Sequence, residues 1–451
     1  MRRNAEKELR RWLNGTIRKP LVLRGARQVG KSTLVRQFAA SQGLDLCEIN
    51  LERYLNLSKV FATLDIARIL EELSVIVGRS VERPGSLLFL DEIQSVPEAL
   101  VALRYLHEDR PDLPVISAGS LLEFALTEKR LSMPVGRVEY LYLGPMTFDE
   151  FLQEVDPSLL PYCRMAVAEG RVPEMAHEKL RHRVRQFMFV GGMPESVKGF
   201  AAEGLSVVPR IQQTLLETYE DDFAKYARGT DLALMQEIFR NLPPQVCEKV
   251  KYVNFSREVP SREVKSVLGI FQKARVCSPV RASACDGVPL FAETEEGAWK
   301  ELFLDVGLMN RSCGVDWRML ETMDGTHFVN DGAMAEQFIG QHLLYREGGL
   351  VRPQLAYWLR EGSKNNAEVD FVIERGRDIY PVEVKAGKSG SLKSLRELIL
   401  AKRFAKAFRF DDNLPSRQTV TIERDGETLP YELVSLPLYA ICAFMEMVYA
   451  D

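Results

Sequence analysis

Gly25-Ala26-Arg27-Gln28-Val29-Gly30-Lys31-Ser32-Thr33 carries the spacing GxxxxGK[ST], and that spacing suits one kind of chemistry. The two glycines let the backbone turn so that successive N–H groups face a β-phosphate at the start of a helix. Lys31 then reaches the β/γ oxygens and Ser32 ligates Mg2+. ATP and Mg2+ are the expected cofactors. The partner should be an apolar strand ending in acid, and "GSLLFLDEIQ" supplies it: Asp91 to hold Mg2+ through water, Glu92 to polarise the attacking water. A third run, "LPVISAGSLLEF", ends at Gly119-Ser120. The Ser120 hydroxyl there either senses the γ-phosphate or caps the helix that follows.

A second constellation lies far along the chain, in "NNAEVDFVIERGRDIYPVEVKAGK". Alternation puts Asp370 on one face of a strand, "RGRD" closes a hairpin, and Glu383 and Lys385, two apart, share a face of the next strand. Two carboxylates converging with a lysine can hold one or two Mg2+ or Mn2+ ions and activate a water against a phosphodiester. The alternative is an ion pair between Glu383 and Lys385 on a solvated face. Lys388, Lys393, Lys402, Arg403, Lys406 and Arg409 follow, a basic concentration able to neutralise a DNA backbone. Trp358, just upstream, reads as packing.

These residues need elements to hold them. "PLVLR" before the glycines reads as a strand and "STLVRQFAA" after them as a helix. Three strands alternating with helices make a parallel α/β sheet with its ligand at the carboxyl ends. From "LSVVPRIQQTLLETYEDDFAKYA" through "LALMQEIFRNLPPQV" apolar residues recur at three and four, which predicts packed helices. Ser261 to Glu293 reads as a helix and two short strands around the turn "ACDG", the succession of a winged helix, with Arg262, Lys265, Lys273 and Arg275 able to point at phosphates or simply at water.

"GARQVGKST", "LLFLDEIQ", "SAGS", "MPVGRVEYLYLGPMTFDEFL" and "FVGGMPE", in that order, resemble the AAA-type ATPases that carry an uncharacterised C-terminal domain. The resemblance implies an AAA+-like or STAND-like module with a helical lid and a winged-helix-like connector. By it, Arg137 is a candidate phosphate-sensing arginine, in its own subunit or a neighbour's, against the alternative of a solvated arginine. Pro194, in Gly191-Gly192-Met193-Pro194, belongs to a turn near the adenine, unless it is a plain turn before a helix. The distal stretch is similar to the PD-(D/E)xK nucleases in Asp370 and Glu383-Val384-Lys385. Such folds draw a further acid from a preceding helix, for which Glu336 is placed. The expected organisation is an ATPase core over 1–155, a lid over 156–205, a connector over 206–325 and a PD-(D/E)xK-like α/β domain over 326–451.

Composition bounds the partners. With 46% apolar residues the 451-residue chain fills more than one core, and a net charge of −4 confines any nucleic-acid contact to a local patch. The charged start lacks the apolar centre of a secretion signal, and the run Leu436 to Met445 is too short to span a bilayer and reads as a buried terminal helix. Seven scattered cysteines without a CxxC pair, and five dispersed histidines, fit a reduced, cytoplasmic setting without structural zinc. The expected function is ATP hydrolysis whose nucleotide state controls a DNA-engaging distal domain. The alternative is a nucleotide-switched DNA- or protein-binding module with an inactive nuclease-like domain, and a motor reading requires a homo-oligomeric ring.

Overall fold

The computed structural model describes residues 1–120, 134, 136–225, 231–318, 331–345, 349–361, 366–387, 392–424 and 427–449. Five short strands form the first sheet: β1 (Leu21–Arg24), β2 (Asp45–Asn50), β3 (Ser86–Asp91), β4 (Val115–Gly119) and β5 (Glu139–Tyr142). All pair in parallel, in the order β2-β3-β4-β1-β5. The sequence reading found three of them. β2, "DLCEIN", is half polar and only partly buried, and β5 has four residues, so neither carries a long apolar run. β3 and β4 are buried at every position, as strands covered on both faces must be.

Helices follow, among them Phe148–Val155, Leu160–Ala168, Glu174–Val190, Pro194–Glu203, Val208–Asp222 and Leu232–Asn241. The expected helical character of this stretch is what forms. Phe148, at the start of the first, meets Phe187 and Phe338 edge-on at 5.8 and 5.9 Å. Such pairs contribute about 0.5–1.5 kcal/mol each beyond their burial, and here they join the first sheet's surroundings to the distal part of the chain.

The second sheet is mixed and has eight strands: β6 (Cys277–Ser283), β7 (Thr294–Phe303), β8 (Leu355–Arg360), β9 (Ala367–Arg375), β10 (Asp378–Val384), β11 (Lys406–Asp411), β12 (Ser416–Arg424) and β13 (Glu427–Pro437), in the order β12-β13-β11-β10-β9-β8-β6-β7. One expectation is corrected here. The helix Ser261–Ala274 and the strand before "ACDG" form as read, but Leu290–Glu293 is a 3-10 turn and the second strand starts only at Thr294. β6 also pairs in parallel with β8, so the two strands are the edge of the distal sheet and not a self-contained wing. A two-stranded hairpin is marginal on its own, and pairing with β8 extends it into a larger sheet. β9 and β10 make the predicted hairpin across Gly376 and Arg377. The apolar C-terminal run ends in the helix Ile441–Tyr449, which buries Ile441, Ala443, Phe444 and Val448. No helix among the described residues is long and apolar enough to cross a membrane.

Leu23, Phe38, Phe148, Phe187, Phe338 and Phe410 belong to one continuous buried cluster that runs from the first sheet through the helices into the second. The parts share a core and are not beads on linkers.

Candidate functional site

β1 ends at Arg24, between β4 and the edge strand β5, and the glycine loop leaves from that end. Gly25 lies so close to Leu143 that a Cβ would come within 2.3 Å of its carbonyl oxygen, so only glycine fits. Gly30 closes the loop at φ 91 and is the N-cap of the helix Lys31–Gln42, which has no side-chain cap and no acid in its first turn. Its first N–H groups are thus left for an anion. The Lys31 ammonium is buried and donates to the carbonyls of Gly25 (3.1 Å) and Ala26 (2.7 Å). Burial lowers its pKa to about 8, against the opposing pull of Glu92 and Asp91.

Asp91 ends β3, buried, with Ser32 hydrogen-bonded to its carboxylate and the Glu92 N–H donating to Oδ1 at 3.1 Å. Burial holds the Asp91 carboxyl above its ordinary range. Glu92 sits at φ 50, a left-handed backbone that turns its side chain away from the strand direction, and Gln94 donates its amide to Glu92 Oε2. Ser120, at the end of β4, is 9% exposed, and its hydroxyl has no partner among the described residues. A buried, unanswered hydroxyl next to the loop's strand is what a phosphate oxygen or water would satisfy. The residues that it would cap, from 121 onward, lie outside the described residues. Pro194 Cγ lies 3.4 Å from where a Cβ on Gly30 would be, which brings the Gly191–Pro194 turn onto the loop. Ala26 and Val29 are buried, while Gln28 and Thr33 are exposed. The loop, Asp91, Glu92, Ser120 and Pro194 are therefore together.

Arg137 is not with them. It immediately precedes β5, whose Glu139 pairs with Leu21 at the start of β1, so it lies at the amino edge of the sheet, roughly 10–13 Å along the strand from the loop. It is ion-paired with Glu108 at 2.8 Å. A role for Arg137 at its own subunit's phosphates is thereby corrected: a residue ahead of a parallel strand starts from the wrong end.

Residues missed by the sequence reading tie the loop to its surroundings. Arg3 donates to the carbonyls of Val29 (2.8 Å) and Gly144 (2.8 Å) and to Glu150 (2.9 Å). Tyr219 donates to the Arg27 carbonyl at 2.6 Å and Asp222 pairs with the Arg27 guanidinium at 2.6 Å. Asp305, fully buried, accepts from the Gly192 N–H at 2.6 Å and caps the helix Val306–Ser312 through Leu308, and burial raises its pKa to about 6. Gly191 has φ 76, and a Cβ there would lie 2.0 Å from Asp305 Oδ1.

In the distal sheet, Asp370 on β9 and Glu383 on β10 do face each other, with Lys385 just beyond and Glu336 on the helix Asp331–Leu344 beside them. Gly340 lets that helix approach: a Cβ would lie 2.8 Å from Leu302 and from Phe371. Lys385 Nζ is 2.5 Å from Glu383 Oε1, so the ion pair expected on a solvated face exists, but Glu383 is buried. Asp370 Oδ2 accepts from the Val384 N–H at 2.7 Å. Burial first, and Asp370 second, push the Glu383 carboxyl up to about 8, and burial does the same to Glu336. The sequence reading missed Lys300, on β7, 1% exposed, with its ammonium 2.7 Å from Glu336 and 2.6 Å from Glu368 and 4.8 Å from the Tyr357 ring. No local signal marks it, because its partners arrive from β9 and a separate helix.

The basic concentration is largely spent internally. Lys402 pairs with Asp286, Lys406 with Glu432 and Arg409 with Asp411, while Lys388 lies outside the described residues. Arg275 stacks over Tyr142 at 4.7 Å, toward the first sheet and away from any phosphate outside. Arg262 and Lys265 are exposed. Trp358 is buried, as read.

Comparison with known proteins agrees with the geometry of the first sheet. Residues 17–152 match an AAA domain, residues 181–318 a domain of unknown function (DUF8612) and residues 331–432 another (DUF4143). No curated protein matches. Among solved structures, the RuvB Holliday junction branch migration motor of Thermotoga maritima is 21% identical, over 52% of this chain and 84% of that one, with a TM-score of 0.22. A STAND protein with a tetratricopeptide repeat sensor from Pyrococcus horikoshii is 12% identical, over 75% of this chain and 44% of that one, with a TM-score of 0.25. The chain thus carries an AAA-type P-loop domain, for which ATP and Mg2+ are the cofactors, followed by two domains whose function the matches leave open.

Proposed function

We propose that the protein binds and hydrolyses ATP·Mg2+ at the carboxyl ends of β1, β3 and β4, and that nucleotide occupancy acts on a PD-(D/E)xK-like distal domain that engages DNA. The residues fit the group: an uncapped helix start, a buried lysine and an unanswered serine hydroxyl. Bound Mg2+ supplies charge neutralisation at the β- and γ-phosphates. Backbone N–H groups from Gly25 to Thr33 and the Lys31 ammonium bind the phosphates, Ser32 and Asp91 hold the metal, Glu92 orients and deprotonates the attacking water, and Ser120 answers a γ-phosphate oxygen. Pro194 covers the loop on the base side.

One observation carries the reading. Lys31 is a buried cation whose pKa has fallen to about 8, and a buried ammonium beside an open helix start is stabilised by an incoming anion. Calorimetry with ATP·Mg2+ tests it: wild type should bind and Lys31→Ala should not. No heat from well-folded wild type would end this account.

Occupancy has a route outward, because Arg3, Pro194, Tyr219 and Asp222 all touch the loop and Asp305 ties Gly192 to the strand that carries Lys300. Arg137, exposed at the far edge, would serve a neighbouring subunit's nucleotide in a homo-oligomer, which mass measurement with and without ATP examines. The ion pairs of Lys300 favour a second reading of the distal half, a nucleotide-switched DNA- or protein-binding module with an inactive nuclease-like domain.

A further inference from the structure

The PD-(D/E)xK likeness implies a divalent cation at Asp370 and Glu383, and the side chains present do not suit one. Mg2+ asks for about six oxygens in octahedral order and Mn2+ for a similar set. Here each carboxylate already has one oxygen on a donor of the chain itself. Glu336 Oε1 and Glu368 Oε1 lie on the Lys300 ammonium, Glu383 Oε1 lies on the Lys385 ammonium, and Asp370 Oδ2 accepts from the Val384 N–H. Among the described residues no three His, Cys, Asp or Glu side chains are arranged to hold a metal ion. One carboxylate oxygen in the group, Glu383 Oε2, is buried without a partner. A group served by two ammoniums is a poor seat for a hard cation, since like charge repels it at short range.

We propose that the Lys300 ammonium is the resident cation of this cluster, standing in for a divalent metal, so that the distal domain keeps the carboxylate framework of a PD-(D/E)xK site without its metal. The inference rests on the PD-(D/E)xK reading of Asp370, Glu383 and Lys385. Its geometry does not depend on any bound group. Lys300 comes from β7, at the edge of the sheet, and its side chain is 1% exposed, so it reaches the cluster from within the protein and is unavailable to an outside ligand. Two carboxylates and the face of Tyr357 surround the ammonium, which occupies its hydrogen-bonding capacity and ties β7 to β9 and to the helix that carries Glu336. A lysine used this way is a structural counter-ion.

The test is Mn2+ binding to the nucleotide-free, full-length protein, read from the free-ion electron paramagnetic resonance signal and from thermal melting with and without Mn2+. Wild type should show no Mn2+ site that Asp370→Asn removes. Lys300→Met should gain one, with Mn2+ affinity up by roughly tenfold or more and a melting point raised by the metal. Adding Asp370→Asn to Lys300→Met should remove the gain. Because Lys300→Met leaves two carboxylates uncompensated, Lys300→Met/Glu368→Gln serves as the second variant, keeping Glu336, Asp370 and Glu383 with one buried charge fewer. An Asp370-dependent Mn2+ site in wild type overturns the inference and leaves the PD-(D/E)xK reading standing. Failure of both folded variants to bind Mn2+ overturns the inference and the PD-(D/E)xK reading together, because the carboxylates then hold no metal even without the ammonium.

Discussion

The Arg3 guanidinium donates to the Val29 carbonyl at 2.8 Å, inside the phosphate loop and 26 residues away along the chain. Pinning that carbonyl outward sets the Val29–Gly30 peptide plane, and so the direction of the N–H on its other side. The same guanidinium holds the buried Glu150 carboxylate and the Gly144 carbonyl, so the loop's shape is set against the start of the helix Phe148–Val155.

Arg3→Ala should therefore do two things. It strands Glu150, whose pKa is already raised by burial, and breaking a buried pair of this kind costs about 3–5 kcal/mol. It also frees the Val29 carbonyl, so ATP affinity should fall. Arg3→Lys keeps a charge for Glu150 and loses the fork. It should recover most of the melting temperature but not the nucleotide affinity. Calorimetry and melting on both variants separate the effects, and full recovery of ATP binding in Arg3→Lys would deny the loop-setting role.

How far the sequence carries is clear from the same residues. Gly25, Lys31, Ser32, Asp91 and Ser120 are legible because a nine-residue loop and two apolar runs fix them locally. Arg3 and Asp305 are not, since each acts on residues more than a hundred positions away. Arg137 stays open in the sequence between its own subunit, a neighbour's and plain solvent, because motif order does not say which end of a strand a residue occupies. Only the parallel pairing of β5 with β1 does. Asp370, Glu383 and Lys385 follow from the hairpin period alone, whereas Lys300 needs β7 to pair with β6, and β6 with β8, before it can meet Glu336, 36 residues on.

The lowered pKa of Lys31 makes nucleotide binding pH-dependent. Without nucleotide the ammonium titrates near 8, below its ordinary 10.5. Bound phosphates favour the charged form, so above pH 8 binding takes up a proton and affinity should fall, by up to about tenfold per pH unit. In the free protein the same shift acts the other way on stability: between about 8 and 10.5 the unfolded chain binds more protons than the folded one, so this group's contribution to stability rises with pH. Calorimetry from pH 7 to 9 in buffers of different ionisation heat reads the proton directly. Equal affinity at both ends would place the titration elsewhere.

Glu92→Gln preserves the shape of the side chain and its contact with Gln94 while removing the base. ATP should bind as in wild type, and turnover should drop by about 100- to 10,000-fold, the usual worth of a positioned general base. A phosphate-release assay decides, and unchanged turnover would remove Glu92 from the reaction.

Asp305→Asn puts an amide where the Gly192 and Leu308 N–H groups now meet a carboxylate. Charged acceptors of buried N–H groups are worth roughly 1.5–3 kcal/mol each, so the melting temperature should fall. Gly191 and Gly192 lead straight into Pro194 on the loop, so ATP affinity, measured well below each melting point, should fall with it. A melting change with intact affinity would leave Asp305 as a helix cap alone.

The distal cluster makes the last prediction one of inactivity. Supercoiled plasmid incubated with the protein, ATP and either Mg2+ or Mn2+ should stay supercoiled, because in-line attack on a phosphodiester needs a metal to stabilise both the entering and leaving oxygens, and the carboxylates that would hold it face Lys300 and Lys385. Retarded migration of the same plasmid without nicking would fit a domain that engages DNA and leaves it whole, with Arg262→Ala/Lys265→Ala testing the exposed basic helix face as the contact. Nicking that disappears in both Asp370→Ala and Lys385→Ala would reverse the conclusion: Lys300 would then have to leave Glu336 and Glu368 during the reaction, and the second half of the chain would be the enzyme that the first half switches.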